Sequence, residues 1–384
     1  MSKLIAAFLL IFSANAFAGC ASILSYGGNN TDSADNTAAL ASAINAQGSQ
    51  ACVFFPAGTY EFLENATETL PSGTASLTLV GAGQDVTDLV WPSGGGLTLD
   101  YTDQDDSIHV KDLSILSGTT NTGIALSIVQ TSSVGDPADT PLTTIRNVTI
   151  RGADGYAATD YWATGIADDG VSNVNVTGVS ITGAGGASYS ANGTGINVYG
   201  SSTSIPVAFN LSDSYVQYVG TGLQYGTYTQ GVTITKSNFT GDNYGIASSA
   251  GEAGLDQLSM TDNQINANVD IYCGSPITGL QLSNNYFIVP TNGIGVYLYT
   301  YASFTFNGNI LQGSGSGNNT NGLVITSNEG GSGVATGNAF NGFTTALWLQ
   351  TGSTSVNVQS NTYDNDNETV YNQGTSNTVG GGSE

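Results

Sequence analysis

The sequence predicts an all-β solenoid, in which one chain winds through stacked coils of short parallel strands behind a helical cap. Three observations lead there. First, Gly followed by an aliphatic residue recurs at Gly165-Ile166, Gly195-Ile196, Gly222-Leu223, Gly245-Ile246, Gly295-Val296 and Gly322-Leu323. Asn268-Val269 and Ala346-Leu347 fill the two missing beats, and successive steps run from 23 to 30 residues. Such even spacing marks a repeat whose units stack on their neighbours. Second, each beat opens an alternating run such as Ile196-Asn197-Val198-Tyr199 or Val296-Tyr297-Leu298-Tyr299. Alternation of period two is the pattern of a strand with one buried face.

The third observation is a series of asparagines. Leu258-x-Met260, Leu280-x-Leu282, Phe304-x-Phe306 and Val356-x-Val358 are each followed by an Asn five residues after the first apolar position. These are Asn263, Asn285, Asn309 and Asn361, and Asn338 follows Val334 by four. Asn at one turn position of successive coils can stack amides, each donating to the next. The cap is expected over residues 36–46. Asp35-Asn36-Thr37 is a helix-starting run, and Leu40 and Ile44, four apart, give one apolar face to cover the first coil. Without a cap, a terminal coil would expose core and strand edges.

Residues 1–18 read as a secretory signal peptide: Lys3, an apolar run from Leu4 to Phe12, and the small residues of Ala16-Phe17-Ala18. That run is shorter than the ~20 apolar residues a membrane span requires. The mature domain is then 19–384, with 19–91 as amino-terminal cap and first coils, and the expected location is secreted or extracellular. Cys20 has two readings. Phe17-Ala18-Gly19-Cys20 is similar to a lipobox, which would anchor an acylated Cys20; alternatively Cys20 and Cys52 form a disulfide, which suits an oxidising compartment. Cys273 sits in an apolar context and reads as a buried thiol.

Composition excludes several classes. Five Lys plus Arg against 29 Asp plus Glu give a formal net charge of −24, so a nucleic-acid backbone finds no cation track. A single histidine, His109, excludes multi-His zinc chemistry. A hydrophobic fraction of 40% supplies a core and argues against disorder.

The opening of the mature chain carries a family resemblance. Tyr26-Gly27-Gly28-Asn29-Asn30-Thr31-Asp32, Asp35-Asn36-Thr37-Ala38-Ala39-Leu40, Val53-Phe54-Phe55-Pro56-Ala57-Gly58-Thr59-Tyr60 and Leu79-Val80-Gly81-Ala82-Gly83 together resemble the opening segment of the pectate-lyase superfamily. The same segment begins many secreted polysaccharide-degrading enzymes, rhamnogalacturonase-like proteins among them, and phage tailspikes. The resemblance implies a single-stranded right-handed parallel β-helix, here of about ten coils, acting as a monomer or homotrimer. It fixes no reaction, because this architecture hosts lyases, hydrolases, epimerases and adhesins. Polygalacturonase-like hydrolases of the superfamily carry Asn-Thr-Asp, Asp-Asp, Gly-His-Gly and Arg-Ile-Lys motifs. This sequence offers Asp168-Asp169, has no Arg-Ile-Lys, and holds His109 between Ile108 and Val110.

Candidate catalytic residues come from the longest step, Gly123 to Gly165. Its end interleaves acids and aromatics, Arg151, Asp154, Tyr156, Asp160, Tyr161 and Trp162, and leads into Asp168 and Asp169. Asp154, Asp160, Asp168 and Asp169 are therefore the candidate carboxylates, since glycoside hydrolysis uses an Asp/Glu pair. Asp168-Asp169-Gly170 also reads as a turn. A calcium-dependent lyase would instead need clustered carboxylates and a base, for which Arg151 is best placed; no resident metal is expected in a hydrolase.

Candidate binding residues follow from the repeat register. With Ile166, Ile196, Leu223, Ile246, Val269, Val296, Leu323 and Leu347 facing inward, Asp270, Tyr297 and Trp348 fall in one outward column and Asp169, Tyr199, Tyr272 and Tyr299 in a second. At about 4.8 Å per coil, Asp169 and Asp270 would lie about 19 Å apart, too far for a catalytic pair. Tyr199, Tyr272, Tyr297, Tyr299 and Trp348 would form a platform for sugar C–H faces or an oligomer contact. With so few cations, the expected ligand is a neutral or weakly charged glycan, bound by a glycoside hydrolase-type enzyme, with a calcium-dependent lyase or a binding solenoid as alternatives.

Overall fold

The structure, a computed structural model, describes residues 19–380 apart from 74, 134–138, 157–158, 186–191 and 329–330, and leaves side chains 32, 33 and 328 undescribed. The expected signal peptide, 1–18, lies outside the described residues. The chain forms a right-handed parallel β-helix of about twelve turns. That is more than the ten anticipated, since the counted beats begin only at Gly165 while parallel coils already stack from Ala21–Ser22 onward.

Each coil contributes to three parallel sheets. Sheet I runs from Ala66–Thr69 to Glu368–Asn372, sheet II from Ala21–Ser22 to Thr378–Gly380, and sheet III from Thr31–Asp35 to Thr362–Asp364. Side chains alternate in and out, so identical inward positions stack along the axis. In sheet II, Ile234, Met260, Leu282 and Phe306 pair in register and are each at most 1% exposed.

The Gly of each beat has a steric reason. A Cβ at Gly222 would stand 2.5 Å from the Gly245 carbonyl oxygen and 2.5 Å from the Phe239 ring. Glycine therefore lets the corner between sheets III and I close onto the core. One beat was misassigned. Ile246 pairs with Ile271, and Ile271 with Val296, so the missing beat is Asp270-Ile271, not Asn268-Val269. The correction makes the two flanking steps equal at 25 residues, and it moves Asp270 to the glycine position, where it is fully buried.

Residues Thr37–Asn45 form the capping helix, burying Ala39, Leu40, Ala43 and Ile44. Asp35 Oδ1 accepts from Thr37 N–H at 3.1 Å. Asn36 makes no side-chain cap. Its amide donates to the carbonyls of Asn29, Ala34 and Glu61 and pins the preceding loop. Cys20 and Cys52 are disulfide-bonded across the first two coils, beside the Ala21–Val53 pair. Cys273 is a free, buried thiol, and burial pushes it up to about 12.

Asn263, Asn285, Asn309, Asn338 and Asn361 stand one above another between sheets II and III, each at most 2% exposed. Each of the first four donates from Nδ2 to the next Oδ1 at 2.9–3.1 Å. Every Nδ2 also donates to a backbone carbonyl one coil back, for example Asn309 to Leu282. The preceding turn residue is left-handed in every coil: Lys236, Asp262, Asn284, Gly308, Gly337 and Ser360 have φ of +50° to +66°. Toward the amino terminus the ladder continues through Ser237 and Ser214.

Candidate functional site

The outer face of sheet I carries the candidate residues and divides into two ends. At the amino-terminal end, Asp100, Val129, Asp169 and Tyr199 pair in sequence along one outward column. Asn197 and Gln224 stand in the neighbouring column, both half-buried. Burial raises the Asp169 carboxyl above its usual range although the Tyr199 hydroxyl, which donates to it, acts to lower it. Asp100 Oδ2 accepts from Thr69 Oγ1 at 3.3 Å. A hollow of about 390 Å³ opens beside Thr98, lined by Asn65, Gly95, Gly96, Gly123 and Ile124.

The carboxy-terminal end is aromatic. The register places Ala247, Tyr272, Tyr297, Val324, Trp348 and Tyr371 in one column. Tyr272 therefore shares a column with Tyr297, rather than with Tyr199 and Tyr299 as the misassigned beat implied. Tyr244, Tyr272, Tyr297 and Tyr299 form a chain of rings with centroids 5.7, 5.6 and 6.1 Å apart. Trp348 lies two coils past Tyr297 and pairs with Tyr371 at 5.9 Å, its indole N–H donating to Gln373 at 3.2 Å. Val269 and Ile294 add half-buried apolar surface beside the tyrosines.

The four sequence-derived carboxylates do not converge. Asp168 points inward: it is 0% exposed, in register with Ile128 and Val198. Its Oδ1 accepts from Val171 N–H at 2.9 Å, and Oδ2 has no partner. Burial raises this carboxyl well above its usual range, and its bond from Val171 N–H fastens the turn after Asp169. Asp154 and Asp160 lie at the opposite corner of sheet I, before the strand Tyr161–Asp169. The nine-residue strand, at about 3.3 Å per residue, carries Asp169 about 30 Å along the chain from Asp160. Asp154 Oδ2 accepts from Thr159 N–H, Thr159 Oγ1 and Asp160 N–H, a turn-stabilising set. Slight burial works to raise it, but these bonds hold it below the usual range, while burial and the Asp154 charge raise Asp160.

Other expectations for this segment also change. Tyr161 and Trp162 are core residues, at 6% and 3% exposure. Arg151, the lyase base candidate, is ion-paired with Asp85 at 3.0 Å and lies 4.9 Å from the Tyr156 ring centroid. Asp270 is buried, its Oδ1 accepting from Ala267 N–H. Among the described residues no three His, Cys, Asp or Glu side chains gather to hold a metal ion. Asp100 and Asp169, two coils apart, are too distant to share one calcium ion.

Sequence reasoning missed Asp100, Tyr244 and Tyr371. Asp100 follows Gly96-Leu97, a Gly-aliphatic pair outside the counted beats, and Leu97-Thr98-Leu99-Asp100-Tyr101 alternates cleanly. Tyr244 immediately precedes the Gly245 beat, outside the two outward columns that the repeat register defines.

Among curated proteins none matches the chain's sequence. Among solved structures, the chain is similar to the Agl-KA catalytic domain, with TM-score 0.58 and 15% identity over 95% of this chain and 69% of that one. It is likewise similar to the Yersinia enterocolitica Family 28 exopolygalacturonase, with TM-score 0.59 and 11% identity over 94% and 78%. A third similar structure is the bacteriophage Phi29 gene product 12 amino-terminal fragment, with TM-score 0.55 and 12% identity over 98% and 73%. At such identities the likeness is one of fold. The chain belongs to the rhamnogalacturonase A/epimerase, pectate lyase-like family, whose model matches residues 20–294.

Proposed function

We propose that this is a secreted polysaccharide-active β-helix protein that lays a neutral or weakly charged glycan along sheet I and hydrolyses it at the Asp169 end. The observation that carries this reading is the ring chain Tyr244, Tyr272, Tyr297 and Tyr299, continued by Trp348 and Tyr371. Flat, half-wet aromatic side chains suit the C–H faces of sugars. Family membership and the fold shared with an exopolygalacturonase support a glycan as the ligand.

The acid–base pair is Asp169 with Asp100. Two coil steps set their backbones about 9.6 Å apart, close to the upper bound of about 9.5 Å for carboxyls that leave room for a water. Asp169, raised by burial, gives its proton to the glycosidic oxygen as the C–O bond breaks. Asp100 takes a proton from the water whose oxygen attacks the anomeric carbon from the opposite side. The test is a panel of neutral and acidic polysaccharides, assayed with calcium and with chelator. Reducing ends without unsaturated-uronate absorbance are expected; activity confined to polyuronate with calcium would contradict the proposal.

A second reading is a non-catalytic glycan-binding solenoid. Its support is the separation of the two ends: Asp169 and Tyr272 stand four coils apart, about 19 Å. Binding without turnover, abolished by Trp348→Ala, would select it.

A further inference from the structure

Two of the five Lys and Arg residues stand together beside the one histidine. Among the described residues, His109, Lys111 and Arg146 project from neighbouring strands of sheet II. His109 pairs with Thr144 and Lys111 with Arg146 in adjacent coils. The positions above and below are neutral: Thr78 and Val80 on one side, Asn175 and Thr177 on the other. Lys111 is half-buried and Arg146 exposed. Neither is ion-paired; the one ion pair among the described residues is Arg151–Asp85. His109 Nδ1 is 2.8 Å from Thr144 Oγ1, which leaves Nε2 for a ligand.

This arrangement is unfavourable for the protein alone. Two like charges stand one coil apart, about 4.8 Å between backbones, in a chain with 29 acidic residues available to neutralise them. An ammonium, a guanidinium and an imidazole within a patch about 5 by 7 Å match the oxygens of one tetrahedral anion. Arg supplies a planar fork, Lys a point charge and His a directional donor.

We infer that His109, Lys111 and Arg146 form an oxyanion site on sheet II that takes a phosphate or sulfate ester, on a different face from the glycan platform of sheet I. The strongly negative remainder of the chain repels diffuse polyanions, so the site selects a compact, highly charged group. It would seat the solenoid on a phosphorylated or sulfated surface while sheet I stays open.

The sequence contains a single histidine, so in untagged protein the His109 ring gives one nuclear magnetic resonance signal to follow. Titration with sodium phosphate and with sodium sulfate, at constant ionic strength against chloride, should shift it saturably. Lys111→Gln and Arg146→Gln should each weaken binding about tenfold, the loss of one charge-assisted bond. Lys236→Gln, at a turn on another corner, should leave it unchanged. Pelleting with phosphatidylglycerol against phosphatidylcholine vesicles, and retention on sulfated against plain dextran, identify the source of the ester. A His109 signal unmoved by either ion would overturn the inference, as would equal binding by the Lys111→Gln, Arg146→Gln double variant.

Discussion

The two ends of sheet I share one backbone lattice and differ only in what they project from it. From Thr98 to Gln224 the outward central column is hydroxyl, amide and alanine, with Asp100, Asp169 and Tyr199 beside it. From Tyr272 to Tyr371 it is aromatic or aliphatic throughout. The parallel ladder is indifferent to outward side chains, because its hydrogen bonds are all main-chain and its core faces the other way. A solenoid can thus place a reactive region and a holding region in line without altering the fold, each tunable on its own.

That division predicts separable variants. Asp169→Asn should have the largest effect, lowering turnover by about 10²–10⁴ while glycan binding persists. Asn309→Ala comes next and touches neither end. Removing a buried amide that serves both Asn338 and Leu282 should destabilise by about 1–3 kcal/mol, read by chemical unfolding, with specific activity of the folded fraction unchanged. Trp348→Ala and Tyr297→Ala should each weaken binding by about 1 kcal/mol, measured by affinity electrophoresis. If Trp348→Ala instead abolished turnover at saturating glycan, the two ends would not be separable.

The smallest effect is one of pH. Burial raises Glu68 to about 7 and Asp366 to about 6, and raises Asp168, Asp242 and Asp270 well above the usual range. In the folded chain these groups hold their protons to a higher pH than they do unfolded. Their stabilisation is therefore complete below about pH 4 and is lost as pH rises through the folded values. Thermal midpoints should fall by several degrees between pH 5 and pH 8, about the reverse of a protein held by salt-bridged carboxylates. A midpoint that rises over that range would show that the interior acids are ionised.

Much of the fold was legible because a solenoid repeats its constraints. The Gly beat marks the corner where a Cβ would strike a carbonyl, and the Asn series marks a buried turn whose amides must all be satisfied. The site was less legible, because outward positions obey no packing rule and inherit any error of register. Reading Val269 for Ile271 moved Tyr272 by one column and turned a buried Asp270 outward. Asp168 was misread for a related reason. Neighbouring acids on a strand face opposite ways; the register with Ile166 inward already turns Asp168 inside, in column with Ile128 and Val198, yet its place beside Asp169 kept it among the candidates. Asp154 and Asp160 were grouped with Asp169 by sequence proximity, although a full strand intervenes.

Release of reducing ends from the best neutral polysaccharide, by wild type, Asp169→Asn and Trp348→Ala side by side with binding measured on the same material, tests the central claim most directly. Hydrolysis at one end of sheet I and holding at the other predicts that Asp169→Asn binds but does not cleave. It also predicts that Trp348→Ala still cleaves once glycan is saturating. Undiminished cleavage by Asp169→Asn, or unweakened binding by Trp348→Ala, would contradict it.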